Sequence, residues 1–167
     1  DVSASGDGLS AQVNSESGDY RVVSQNPAWI LSGSLKAPLK NTATSRGGDE
    51  LGDYQQVTFD WQSGTLPMSG SIRVYNKRPL ALFSQTCSAA TEMPPAAFPA
   101  FNKLPEALHI FSYGRHEFAP PSFSANEIST PWLLFDDADN ALIISPASHF
   151  MIASMIGDGQ NEVASGF

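Results

Sequence analysis

The chain has 167 residues, 41% hydrophobic and 16% charged, with 9 Lys plus Arg set against 17 Asp plus Glu for a formal net charge of −8. That balance excludes the low-hydrophobicity, high-charge corner in which chains stay disordered, and a chain of this length buries roughly 70% of its unfolded surface, so one domain over residues 1–167 with a real core is expected. The negative sign repels phosphate backbones and argues against a nucleic-acid partner.

In chain order, Asp1 to Gly8 reads as a loose lead-in. Leu9, Ala11 and Val13 alternate with polar residues, Ser15 to Asp19 supplies a turn, and Tyr20 to Val23 resumes an extended run, which together predict a first hairpin. Asn26-Pro27 punctuates before an extended Trp29 to Leu35, and Lys36 to Gly52, with Pro38, Gly47, Gly48 and Gly52 among polar residues, reads as a loop. Val57-Thr58-Phe59-Asp60-Trp61 has the clearest two-residue period, with Val57, Phe59 and Trp61 directed at a core. Ser63-Gly64 turns the chain, Ile72 to Tyr75 repeats the alternation, Asn76 to Pro79 breaks it, and Leu80 to Thr86 is a further strand. Prolines 94, 95, 99 and 105 make Ser88 to Pro105 a surface excursion without a regular ladder, pinned by Phe98 and Phe101. Leu108 to Tyr113 is a strand and Gly114 to Ser124 a loop around Pro120-Pro121. Strands at Trp132 to Phe135, Ala141 to Ile144 and Phe150 to Ile156 follow, separated by Asp136 to Asn140 and by Ser145 to Ser148.

Short strands with turn signals roughly every 8 to 12 residues predict an all-β antiparallel β-sandwich with long Pro-rich loops and little helix. No apolar run approaches the roughly 18 to 20 residues that cross a bilayer, so a soluble chain without a membrane partner is expected. The start at Asp1, followed by small polar residues, fits a mature secreted or periplasmic chain. The end, Glu162 to Phe167, stops on an aromatic, which suits a piece of a longer protein.

Catalytic candidates are few. Asp136, Asp137 and Asp139 share one turn, but neighbouring residues of an extended chain face opposite sides, and a solvated turn does not raise a carboxyl pKa enough for a general acid. The same turn lacks the glycine and distal glutamate of a calcium loop. His109, His116 and His149 form no ligand pair, and the single cysteine, Cys87, permits neither an internal disulfide nor a thiolate cluster and is expected as a half-buried small hydrophobe. No catalytic residue, metal or cofactor is therefore assigned. For contact with a carbohydrate the candidates are Trp132, which follows Pro131 at a strand entrance and is expected to be exposed, the acidic Asp136 and Asp137, and Arg115 with His116 in a polar loop between Tyr113 and Phe118. Trp61, by its alternation with Phe59 and Val57, is expected in the core.

The segments Thr130-Pro131-Trp132-Leu133-Leu134-Phe135-Asp136-Asp137 and Ile144-Ser145-Pro146-Ala147-Ser148-His149-Phe150-Met151 resemble the amino-terminal β-supersandwich, galactose-mutarotase-like in architecture, of secreted bacterial glycoside hydrolases related to the α-galactosidase and raffinose-synthase type. Asn26 to Trp29, Asp53 to Gln56 and Ser71 to Tyr75 look like the same domain. In such proteins the supersandwich precedes a barrel that holds both catalytic carboxylates. The resemblance implies a non-catalytic accessory part of an extracellular glycosidase that packs against the catalytic barrel of the same parent protein and helps to wall its sugar pocket, so that its partners are a carbohydrate and that barrel. The alternatives are a self-sufficient carbohydrate-binding, lectin-like module and a structural or adhesive subunit that polymerises through an edge strand.

Overall fold

The computed structural model describes residues 1–88, 97–106, 108–114, 117–119, 131–148, 154–157 and 163–166. All regular structure among them is β-strand, and every strand pair is antiparallel. The chain is an all-β, sandwich-like protein, as the turn spacing predicts.

The expected hairpin is present as β2 (Leu9–Val13) and β3 (Asp19–Ser24), and β4 (Ile30–Ser34) extends it. The presumed lead-in is itself a strand, β1 (Val2–Ser5), which pairs with β2 and buries Ala4. Its small side chains, Ser-Ala-Ser, carry too little hydrophobic contrast to show an alternation in sequence.

The presumed loop 36–52 holds a second correction, the ten-residue β5 (Lys40–Asp49). Its side chains are polar or small on both faces and none is buried, so no period appears in the sequence. Its pairing comes from β6 (Gly52–Ser63), which pairs on its other side with β7 (Leu66–Tyr75), itself paired with β8 (Ala81–Cys87). Ala100–Lys103, inside the proline-rich excursion, forms β9 between β4 and β15 (Val163–Gly166). Residues 89–96 of that excursion lie outside those described. Pro99 and Pro105 bracket β9 without entering it, so neither removes a donor from its ladder. β10 (His109–Gly114), β11 (Glu117–Ala119), β12 (Trp132–Phe135) and β13 (Ala141–Ile144) follow. β11 corrects the loop reading of 114–124. β14 (Ser154–Gly157) matches the end of the expected final strand, whose first part lies outside the described residues.

These strands make a seven-stranded sheet, β1-β2-β3-β4-β9-β15-β14, and two four-stranded sheets, β5-β6-β7-β8 and β11-β10-β12-β13. One cluster of buried side chains joins the first two: Ala11, Val13, Tyr20, Val22 and Leu31 meet Val57, Phe59, Trp61, Met68, Ile72 and Val74. The two-residue period selects these faces, because every second side chain of a strand points the same way. The third sheet packs Ile110, Trp132 and Leu134 on Val163 of β15, and Leu142 and Ile144 touch both clusters.

Phe98 and Phe101 are buried, as expected of the anchors of the excursion, and sit edge-on to Tyr20 with ring centroids 5.3 and 6.0 Å away. The Tyr20 hydroxyl donates to the Ala100 carbonyl oxygen (2.9 Å) and accepts from the Ala100 N–H (2.6 Å). Burial drives its pKa upward, so it stays a neutral phenol. Gly33 makes this approach possible, since a Cβ there would collide with the Ala100 carbonyl and the Tyr20 hydroxyl. Tyr20→Phe keeps the ring and strands both Ala100 backbone groups. We expect a loss of about 1–3 kcal/mol in urea unfolding at unchanged m; a shift below about 0.5 kcal/mol would show that the clamp carries no weight.

Candidate functional site

The acidic turn is real and is structural. Asp136 Oδ1 accepts from the N–H groups of Ala138 (2.9 Å) and Asn140 (3.0 Å), and the Asn140 side chain donates to both carboxylate oxygens. These bonds, the Asn140 side chain first, hold Asp136 below the usual aspartate range and keep it ionised, the opposite of a general acid. Asp139 takes φ 62° in the same turn. Asp137 is 94% exposed at its side chain, and its Oδ1 lies 2.8 Å from His109 Nε2.

Trp132 is not a surface platform: only 1% of it is exposed. It lies on the inward face of β12, opposite Ser112 and Ile144, because the strand alternates Trp132 and Leu134 inward with Leu133 and Phe135 outward. Arg115 and His116 lie outside the described residues, as does His149. Of the described candidates, Trp132 is buried away from the turn, and only the neighbours Asp136 and Asp137 lie together. Trp61 is 3% exposed and belongs to the core as expected, and Cys87 packs half-buried against that core.

The outward face of the β5-β6-β7-β8 sheet carries the richest constellation. Register aligns its side chains into cross-strand rows, since directly opposed residues share a face. Lys40, Asp60, Ser69 and Thr86 form the first row, Ala43, Thr58, Ser71 and Ser84 the second, Ser45, Gln56, Arg73 and Leu82 the third, and Gly47, Tyr54 and Tyr75 the fourth. The second row is uniformly small. Thr58, Ser71 and Ser84 of this row floor an open polar trough of about 380 Å³, lined by Asn41, Asp60, Ser69 and Thr86 on one side and by Gln56 and Arg73 on the other.

Each wall is held in place. Asp60 accepts from the Asn41 amide through Oδ2 (2.7 Å) and from the Ser69 hydroxyl through Oδ1 (2.7 Å). Asn41 sits at φ 50° where the β5–β6 register shifts between Lys40 and Ala43, so a β-bulge re-aims its side chain across to Asp60. Arg73 donates to Gln56 Oε1 (2.6 Å) and Asp49 Oδ2 (3.3 Å) and lies 4.7 Å above the Tyr54 ring. The buried Tyr75 donates its hydroxyl to Asp49 Oδ2 (2.7 Å), and on the floor the Ser71 and Ser84 hydroxyls are bonded at 2.7 Å.

The sequence shows the alternation that sends Thr58, Asp60, Ser69, Ser71 and Arg73 outward, but it does not show which of them lie side by side. Register supplies that, and β5, the strand that completes the trough, is the one without periodicity. Compared with family models, with curated proteins and with solved structures, the chain finds no match.

Hydrogen bonds from Asn41 and then Ser69 lower the pKa of Asp60, and the Tyr75 hydroxyl does most to lower that of Asp49. A depressed folded-state pKa means that the unfolded chain binds more protons in the window below about pH 4. Stability therefore rises with pH through that window and is lost as pH falls through the folded-state values. In Asn41→Ala the Asp60 carboxyl is expected to titrate higher in carbon-detected NMR, and the urea midpoint to fall less steeply between pH 4 and pH 2. An unchanged Asp60 titration would show that the Asn41 bond does not hold it.

Proposed function

We propose that this chain is a non-catalytic β-sandwich domain that binds carbohydrate in the trough of the β5-β6-β7-β8 sheet, as an accessory part of an extracellular glycoside hydrolase. The observation that carries the reading is the trough itself, which places hydroxyls, amides, a carboxylate and a guanidinium around an open channel. Such groups match the alternating donors and acceptors of sugar hydroxyls. Its carboxylate, Asp60, is a hydrogen-bonded acceptor with a lowered pKa, which suits recognition and does not suit a general acid for glycoside cleavage. The parent enzyme and its extracellular setting rest on the resemblance to glycosidase supersandwiches.

Calorimetric titration of the chain with a glycan panel is expected to give dissociation constants of about 0.1–1 mM, or ~4 to 5.5 kcal/mol. Arg73→Ala should weaken binding at least about tenfold, ~1.4 kcal/mol, by releasing Gln56 and opening the wall. The reading fails if no glycan binds at millimolar concentration, or if the chain alone turns over a glycoside.

A second surface favours the accessory role. The outward face of the third sheet presents Phe111, Leu133, Phe135 and Ile143, with Ile143 65% exposed. A sheet apolar on both faces suits a protein covered on both sides, and we assign this face to the catalytic barrel of the parent. Ile143→Lys should leave the unfolding free energy within about 0.5 kcal/mol and abolish co-purification with that barrel. Undiminished co-purification would remove the seat.

A further inference from the structure

We propose that the trough selects a neutral glycan lying across the strands, with the Asp60–Asn41–Ser69 wall taking a pair of adjacent sugar hydroxyls. This rests on the carbohydrate-binding reading above and names the class and the pose of the ligand.

The direction follows from the rows. The small second row, Ala43, Thr58, Ser71 and Ser84, runs perpendicular to the strands; Gln56, Arg73 and Leu82 of the third row stand above it on one side, and Asp60, met by the Asn41 amide, faces them on the other. The floor, from Thr58 across to Ser84, spans two interstrand spacings of about 4.8 Å, roughly 10 Å in all. A chain laid along it passes between the two walls, whereas one laid along the strands would have to climb over them.

The contact chemistry follows from what each wall has left to offer. Each Asp60 oxygen accepts one protein hydrogen bond, from Ser69 or from Asn41, and a carboxylate has capacity for about four. Two acceptor sites therefore remain on a group already oriented by its neighbours, a match for two hydroxyl donors on adjacent carbons. The Asn41 carbonyl oxygen and the Ser69 lone pairs lie beside them. Such bonds are charge-assisted and stronger than neutral ones.

Selection against acidic glycans follows from charge. Arg73 is paired with the Asp49 carboxylate, and Lys40 stands opposite Asp60 in register, so both cations near the trough already have a carboxylate beside them. An incoming carboxylate or sulfate would meet the Asp60 carboxylate, on a chain that is already net negative.

The test is affinity electrophoresis and calorimetry of the intact chain with a neutral glucan, a neutral galactomannan, a polyuronate and a sulfated glucan. Two variants accompany the wild type: Asp60→Asn, which keeps shape and removes charge, and Ser84→Leu, which fills the floor. Circular dichroism and urea unfolding check that both remain folded. We expect binding to at least one neutral glycan, none to the acidic ones, and losses of tenfold or more in both variants. Neutral binding that survives Asp60→Asn or Ser84→Leu overturns the pose and leaves the carbohydrate-binding reading standing, as does binding of an acidic glycan alone. Failure of every glycan to bind overturns both.

Discussion

The arrangement depends on one clamp: the Tyr20 hydroxyl holds both backbone groups of Ala100 inside a nest of aromatic rings. A proline-rich stretch has little tendency to enter a sheet, because each proline lacks a donor. Tyr20 and Phe98 bring Ala100–Lys103 into register with β4 in spite of that. Once β9 is in place, β15 pairs with it at Phe101 and Ala100, and Val163 of β15 becomes the surface on which Trp132 and Leu134 of the third sheet pack. The third sheet is thus reached from the first through a side-chain contact between residues 80 positions apart. Phe98 also packs against Phe59, Trp61 and Phe83, so the same rings join the clamp to the trough-bearing sheet.

Burying the inward side chains of β6 and β7 fixes what the outward side can be. With Val57, Phe59, Trp61, Met68, Ile72 and Val74 in the core, the intervening residues must face away from it, and a one-residue slip would exchange the two sets. Hydrophobic burial therefore positions Asp60, Ser71 and Arg73 without touching them. The small floor residues then matter as much as the polar walls, since larger side chains at 43, 58, 71 and 84 would level the face. The bulge at Asn41 breaks the regular β5–β6 register, and it does so where a side chain has to reach a neighbouring strand.

Much of the fold was legible where burial on one face writes a period into the sequence. Val57 to Trp61, Ile72 to Tyr75 and the first hairpin are such cases, and Phe98 and Phe101 stood out as apolar residues in a polar, proline-rich stretch. β1 and β5 were illegible for the complementary reason: Ser3, Ala4 and Ser5 differ little in hydropathy, and β5 buries no side chain at all. Their strand character comes from partners, a tertiary effect that local propensity does not carry. The candidate site was hidden for the same cause, since its walls meet only through the β5–β6–β7–β8 register. For Trp132 two signals conflict: the preceding proline points to exposure and the two-residue spacing from Leu134 points inward, and packing on Val163 decides for the spacing.

The two outward faces divide the surface by chemistry. On the trough-bearing sheet, hydrogen bonds such as Asp60 to Asn41 and Arg73 to Gln56 fix polar side chains without desolvating them, so the face stays wet and able to exchange water for hydroxyls. On the third sheet, Phe111 and Phe135 pack ring edge to ring face at 5.1 Å beside an open Ile143, an arrangement that gains most from being covered by another apolar surface. A ligand rich in hydroxyls and a partner rich in hydrocarbon would thus be sorted to different sheets by solvation alone. The Trp-Leu-Leu-Phe and Ala-Leu-Ile-Ile runs already encode the second face, because a strand apolar at consecutive positions has no side to give to water.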